Sequence, residues 1–204
     1  LQVPDGDHVI ALMPGSRGGE VARMLPVFVD VAQRLAKCYN GIKFLLPAAN
    51  EKRLAQITEY LAKHPSVDIE LFQGRSHLVM QASDTVVMAS GTTTLEAMLL
   101  KKPMVIAYKV AAFSYFIFSR MVKVKFIGLP NLLAEKSLAK EYIQHEATVD
   151  NIYSEVERLM QMSPSEREAL NEEYRSLHRS LSLNANHAAA KAVLALVDRL
   201  DTGD

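Results

Sequence analysis

"HVIALMPGSRGGEVARML" (residues 8–25) passes from an apolar stretch through a proline- and glycine-bearing loop into apolar residues at helical spacing. Residues 8–13 form a short apolar run stopped by Pro14 and Gly15, and residues 20–39 repeat Val21, Met24, Leu25, Phe28, Val29, Ala32, Leu35 and Ala36 with helical periodicity. The stretch is predicted as strand, loop and helix, and the unit recurs downstream. Residues 42–46 are a second buried-strand candidate, residues 51–63 a charged amphipathic helix, and residues 67–72 a third strand. A short helix at 77–82, a strand at 84–89, a loop at 90–93, a helix at 94–100 and a strand at 104–108 complete the alternation. Strands alternating with helices imply an α/β fold, a doubly wound Rossmann-like parallel sheet with right-handed crossovers, here in the order 3-2-1-4-5.

Composition narrows the function classes. The 204 residues carry 23 Lys and Arg against 23 Asp and Glu, so no global field recruits nucleic acid or a membrane, and any charge argument is local. Cys38 stands alone, which excludes an intramolecular disulfide and a cysteine-based zinc cluster; it is expected to be buried in its helix. His8, His64, His145, His178 and His187 show no metal-ligand spacing, so neither a metal nor another cofactor is expected. No signal peptide is read ahead of the first strand, and no stretch reaches the roughly 18 uncharged apolar residues of a membrane span. Leu1 in place of Met and the linker-like Pro4-Asp5-Gly6 suggest a piece of a longer protein.

Beyond Val110 the pattern changes. Residues 111–124 look helical, residues 128–131 break that pattern, and helices are predicted at about 149–162, 165–183 and 185–200, with a turn at 184–186. The expected organisation is a Rossmann-like nucleotide-binding domain over 1–147 and a helical segment over 148–204. That segment packs on the first domain or on a partner; exposure of Val193, Leu196 and Leu200 favours self-association.

Two loops carry the chemistry. A strand that enters a helix through a glycine loop offers backbone N–H groups and a positive dipole end to an anion, and Ser16 and Arg17 stand where a phosphate would be met. The loop is neither a Walker sequence nor GxGxxG, and an ordinary turn with a solvated Arg17 fits it as well when it is taken alone. "ASGTTTLEAM" (residues 89–98) repeats the device after the fourth strand with Ser90, Gly91 and Thr92. Strands one and four flank the switch point of the predicted order, so both loops are expected to face one crevice. Glu96, about one turn into the following helix, can accept hydrogen bonds from a vicinal diol or simply favour the helix dipole. Phosphate on the loops and ribose on the carboxylate describe a nucleotide.

"LMPGSRGGEVARMLPVF" (12–28), "SDTVVMASGTTTLEAMLLKKPMVIAYKV" (83–110) and "GLPNLLAEKSLAKEYIQHEAT" (128–148) resemble the carboxyl-terminal half of the lipid-A-disaccharide synthase family, glycosyltransferases of GT-B type. The resemblance implies a UDP-sugar donor site, with the acceptor side and the general base in an amino-terminal domain. It implies Ser16, Arg17, Ser90, Gly91 and Thr92 on the pyrophosphate and Glu96 on the ribose. Asn131 and Gln144 are carried over as further donor contacts, and residues 74–77 as the surroundings of the base. The implied partners are a UDP-activated acylated glucosamine, an acylated glucosamine 1-phosphate acceptor and the inner face of a Gram-negative inner membrane. Glu135-Lys136 stand where Gly-Arg is usual, and His77 where arginine is frequent.

Between Glu96 and Glu135 there is no acidic residue, while Lys101, Lys102, Lys109, Arg120, Lys123 and Lys125 supply positive charge. "AAFSYFIFSRMVKVKFIGL" (111–129) mixes that charge with aromatic residues, a composition suited to an anionic bilayer surface and equally to a core-packed helix with a solvated basic end. Nucleotide-sugar 2-epimerases share the serine-glycine turn and the Glu, and a non-catalytic nucleotide-binding module is a third reading of the same loops.

Overall fold

The computed structural model describes residues 8–65, 67–89, 91–110 and 125–182. The readings made for residues 111–124, for the turn at 184–186 and for the helix at 185–200 lie outside the described residues, as does Ser90. The strands are β1 (His8–Met13), β2 (Ile42–Ala48), β3 (Ile69–Gln73), β4 (Thr85–Met88), β5 (Met104–Tyr108) and β6 (Lys140–Ile143). They form one parallel sheet in the order β3-β2-β1-β4-β5-β6. The predicted order holds for its five strands, and β6 adds an edge that periodicity did not reveal, since "KEYI" is four residues long and only partly buried.

The helices divide between the two faces of the sheet. On one face α1 (Gly18–Cys38), α2 (Glu51–Lys63) and α6 (Val149–Met160) cover Ile10, Leu12, Phe44, Leu46, Val87 and Val105. On the other, α3 (Ser76–Ala82), α4 (Thr93–Leu99) and α7 (Pro164–Ser182) cover Val9, Ala11, Met13, Val86, Met88 and Ile106. Alternate residues of each central strand feed opposite cores, so both sides of β1 and β4 are apolar, as a sheet covered on two faces requires. A short helix α5 (Leu129–Ala134) begins where the sequence was expected only to break: Gly128 caps it and Pro130 sits in its first turn.

Two expectations about α1 are corrected. Cys38 is exposed, and so is Ala36, because in the last turn only Leu35 still reaches the core. The contact there is made by polar groups instead. Tyr39 and Tyr153 hydroxyls donate to Glu157 Oε1 at 2.5 and 3.0 Å, the Arg34 guanidinium lies 4.1 Å from the centre of the Tyr153 ring, and Arg34 pairs with Asp150. These bonds hold the Glu157 carboxyl below its ordinary range. α7 opens with reciprocal bonds between Ser163 and Glu166, the backbone N–H of each meeting the side chain of the other at 2.9 and 3.3 Å.

Glu135 closes α5 at φ 52°, in the left-handed region where a side chain is strained. The glycine usual there in the resembled family is the residue this backbone favours. Glu135→Gly is expected to raise stability by about 0.5–1 kcal/mol, the strain relieved less the added chain entropy, read as a higher urea midpoint.

His8 is half-buried at the start of β1, its Nε2 3.2 Å from Thr85 Oγ1. Burial holds its pKa below the ordinary value; Asp84 opposes that shift and Arg167 adds to it. The unfolded chain therefore takes up this proton more readily than the native one, and stability falls as pH drops below about 6.5. His8→Gln is expected to flatten the decline in urea midpoint between about pH 7 and pH 5; an unchanged slope would show that other groups govern it.

Candidate functional site

β1 lies between β2 and β4, so the chain leaves β1 over one face through α1 and leaves β4 over the other through α4. The two loops separate and open a crevice at the carboxyl ends of the strands. A cleft of about 470 Å3 occupies it, lined by Gly15, Ser16, Arg17 and Glu20 on one side and by Gly91, Thr92 and Thr93 on the other. Pro47 and Ala48 at the end of β2, Ala49 just beyond it, and Gly74 and Ser76 after β3 complete the lining. This is the size range of a small-molecule site.

The first loop is built around a carboxylate that sequence reading missed. Glu20 is 8 % exposed, and its Oε2 accepts from the backbone N–H groups of Ser16 and Arg17 at 3.3 and 3.2 Å. Oε1 accepts from Arg17 Nη1 at 3.1 Å and from the Tyr108 hydroxyl at 3.4 Å. Gly15 is required on two counts: its φ is 109°, and a Cβ there would stand 2.7 Å from Glu20 Oε2. Burial, followed by the nearby Glu20 charge, raises the Tyr108 pKa. The signal available in sequence was an acid in the first helical turn, three residues after the N-cap Arg17.

The second loop is simpler. Gly91 has φ 149°, and the buried Thr94 turns back to donate its hydroxyl to Gly91 O at 2.7 Å. Thr92 is exposed at the N-cap, and its hydroxyl makes no hydrogen bond among the described residues. At the far end, Gly74 N–H donates to Ala48 O at 2.7 Å, and Gly74 and Arg75 both take positive φ before α3.

Ser16, Arg17, Gly91 and Thr92 thus meet in one cleft. Glu96 does not line it: it lies one turn along α4, half-buried, with no carboxylate partner among the described residues. Asn131 is fully buried and its side chain is saturated, donating to Ala139 O at 2.7 Å and Glu141 Oε1 at 2.6 Å and accepting from the N–H groups of Leu138 and Ala139 at 2.7 and 2.9 Å. Its side-chain amide is thus committed within the protein, and a donor contact there would fall to its backbone in the first turn of α5. Gln144 is likewise engaged, its amide receiving Val110 N–H at 2.9 Å and donating to Val110 O at 3.4 Å, so that it prolongs the β5–β6 edge. Lys136 pairs with Glu173 of α7 at 2.5 Å, and His77 is exposed on α3. Among the described residues no group of three His, Cys, Asp or Glu side chains is placed to hold a metal ion.

A family model described as lipid-A-disaccharide synthetase matches residues 1–196. The chain is 44 % identical over 197 residues to the lipid-A-disaccharide synthase of Pseudomonas fluorescens (strain Pf0-1), covering 97 % of this chain and 51 % of that protein. It spans about half the length of the curated relatives it matches. Among solved structures it resembles a glycosyltransferase involved in lipopolysaccharide biosynthesis, with TM-score 0.56 at 14 % identity, covering 93 % of this chain and 47 % of that one. It also resembles UDP-GlcNAc 2-epimerase from Neisseria meningitidis, with TM-score 0.51 at 18 % identity over 84 % of this chain and 40 % of that one. At these identities the structural likenesses speak for the fold alone, a Rossmann-like half of the GT-B kind.

The saturated amide of Asn131 yields a prediction. Asn131→Ala strands the N–H groups of Leu138 and Ala139 and leaves Glu141 Oε1 with the Gly128 N–H alone, and is expected to lower stability by about 2–4 kcal/mol, measured by urea denaturation. A loss under about 0.5 kcal/mol would show that water replaces the amide at no cost.

Proposed function

This chain belongs to the lipid-A-disaccharide synthetase family, and on that premise we propose that it is the donor-binding half of an inverting glycosyltransferase of lipid A biosynthesis. The intact enzyme joins UDP-2,3-diacylglucosamine to 2,3-diacylglucosamine 1-phosphate and releases UDP. The observation that carries the reading is the meeting of residues 15–17 and 91–93 in one cleft at the β1–β4 switch point. The organisation expected from sequence, a donor domain over 1–147 followed by a helical segment, is kept as part of the proposal.

In this reading the diphosphate lies between the two loops. Bond breaking at the anomeric carbon adds negative charge to it, and preorganised donors stabilise charge where it develops. Arg17, whose side chain is 82 % exposed beside Glu20, has room to turn its guanidinium toward the cleft. Ser16, Ser90 and Thr92 supply hydroxyls, and the half-buried carboxylate of Glu96 is assigned to the ribose diol. No metal or other cofactor is needed. The acceptor hydroxyl attacks from the opposite face with help from a general base. We assign that base and the acceptor's own contacts to a further domain, in keeping with a chain about half the length of its relatives.

Membrane association is proposed on charge. Residues 97–134 carry cations and aromatic side chains without an acid, which suits peripheral contact with an anionic bilayer at the inner face of the inner membrane. No described helix is long and apolar enough to cross a membrane. Self-association remains part of the proposal, and nucleic acid has no part in it.

Calorimetric titration of UDP and UDP-GlcNAc into this chain, with ADP as control, tests the reading. Saturable UDP binding, weakened about tenfold or more by Glu96→Ala and absent for ADP, is the expected result. Equal binding of ADP and UDP, or none by a folded chain, would overturn it.

A further inference from the structure

We propose that Arg53 is a phosphate-binding residue beside this cleft, outside its lining, with its guanidinium held against the start of α1 to receive an anion there. The proposal deepens the donor-site reading and rests on it.

Arg53 lies in the first turn of α2, its N–H capped by the Asn50 side chain at 3.1 Å. Its side chain crosses to α1. A Cβ on Gly18 would stand 2.1 Å from Arg53 Nη1 and 3.1 Å from Cζ, so the guanidinium lies directly on the Gly18 backbone, a contact that glycine alone permits. One turn along α2, Gln56 Nε2 donates to Gly18 O at 3.1 Å and fixes the two helices at the same point.

What stands out is what Arg53 lacks. Its Nε is buried with no hydrogen-bond partner, and its guanidinium pairs with no carboxylate among the described residues. Three guanidinium groups gather at this helix start, and the other two are engaged: Arg17 with Glu20 at 3.1 Å, and Arg23 with the Lys109 carbonyl at 3.0 Å. Arg53 is also placed at the positive end of a 21-residue helix, where a cation is repelled. Within the protein nothing described compensates that arrangement. An anion resting over Gly18 and Gly19 does, because it meets the guanidinium fork, the first-turn N–H groups and the dipole together. Gly19 is exposed and Gly18 half-buried, so the approach is open.

The ligand chemistry is a phosphate group, which either the donor's diphosphate or the acceptor's phosphate can bring. Arg53→Ala, Arg53→Lys and Gly18→Ala are compared with the wild-type chain in calorimetric titrations of UDP and in NMR titrations of glucosamine 1-phosphate, with uridine as a phosphate-free control. Arg53→Ala is expected to weaken UDP by about tenfold and to leave uridine unaffected, with lysine restoring only part of the loss. Gly18→Ala is expected to weaken UDP similarly although Arg53 is retained, since the new methyl displaces the guanidinium. Thermal melting separates a binding role from a structural one. Removing an unpaired cation from a helix start leaves the melting temperature unchanged or higher, whereas a lower one would mark Arg53 as a fold-stabilising residue and overturn the proposal. A loss confined to glucosamine 1-phosphate assigns Arg53 to the acceptor phosphate. Unchanged affinity for both phosphates in a folded Arg53→Ala chain overturns the Arg53 proposal alone, while absence of UDP binding by the wild type overturns the donor-site reading and this proposal with it.

Discussion

The parallel pairing of β1 with β4, Ile10 beside Thr85 through Met13 beside Met88, is the constraint on which the rest depends. β2 already occupies the other edge of β1, so the chain must reach β4 from the far side of the sheet, and its helices change face as it does so. That change exposes β1 to two cores. Ile10 and Leu12 enter one, Val9, Ala11 and Met13 the other, and none of the five is more than 8 % exposed. It also sends the loops after β1 and β4 in opposite directions. The cleft is thus the geometric remainder of a strand order, and its position would survive extensive change in the residues that line it.

Where a residue's role is set by local pattern, the sequence was a sufficient guide. The apolar runs of β1, β2, β4 and β5 and the stripe of α1 announce buried elements, and their alternation implies the parallel sheet. The pattern fails where structure is held by side-chain bonds at long range. β6 and α5 are too short to show a period, and they persist because Glu141 receives the N–H groups of Ile127 and Gly128 while the Asn131 amide binds residues 138, 139 and 141. Asn131 and Gln144 entered the sequence reading only through the family resemblance, as donor contacts, and their long-range bonds within the fold were not legible there. Cys38 was misplaced because periodicity locates a face of a helix without saying which residue is the last on it to be covered, here Leu35.

Among the candidate site residues the loops were readable and their internal ligand was not. Gly15, Ser16 and Arg17 are residue types that suit an anion loop or an ordinary turn, and the strand order brings Gly91 and Thr92 opposite them. Glu20 reads in sequence as an ordinary acid in a first helical turn. Only the fold shows that its carboxylate enters the cleft wall and takes the N–H groups the loop presents. The same device recurs at Glu141, and in each case a carboxylate accepts the backbone N–H groups of a glycine-bearing loop.

This internal carboxylate has a consequence for selectivity. A loop whose N–H groups faced solvent would bind any phosphate, and the abundant inorganic ion would compete with a nucleotide. Here Glu20 already accepts from two backbone donors and the Arg17 guanidinium, so these three groups offer a bare phosphate little until Arg17 turns away. In the donor-binding reading, a larger ligand has contacts that a free ion lacks: the second loop for its other phosphate, Glu96 for its ribose and the stretch after β3 that contributes Gly74 and Ser76 to the cleft for its base. Those contacts favour it without requiring the first loop to attract anions strongly. In that reading the buried carboxylate makes the loop rigid and discriminating at some expense in raw affinity.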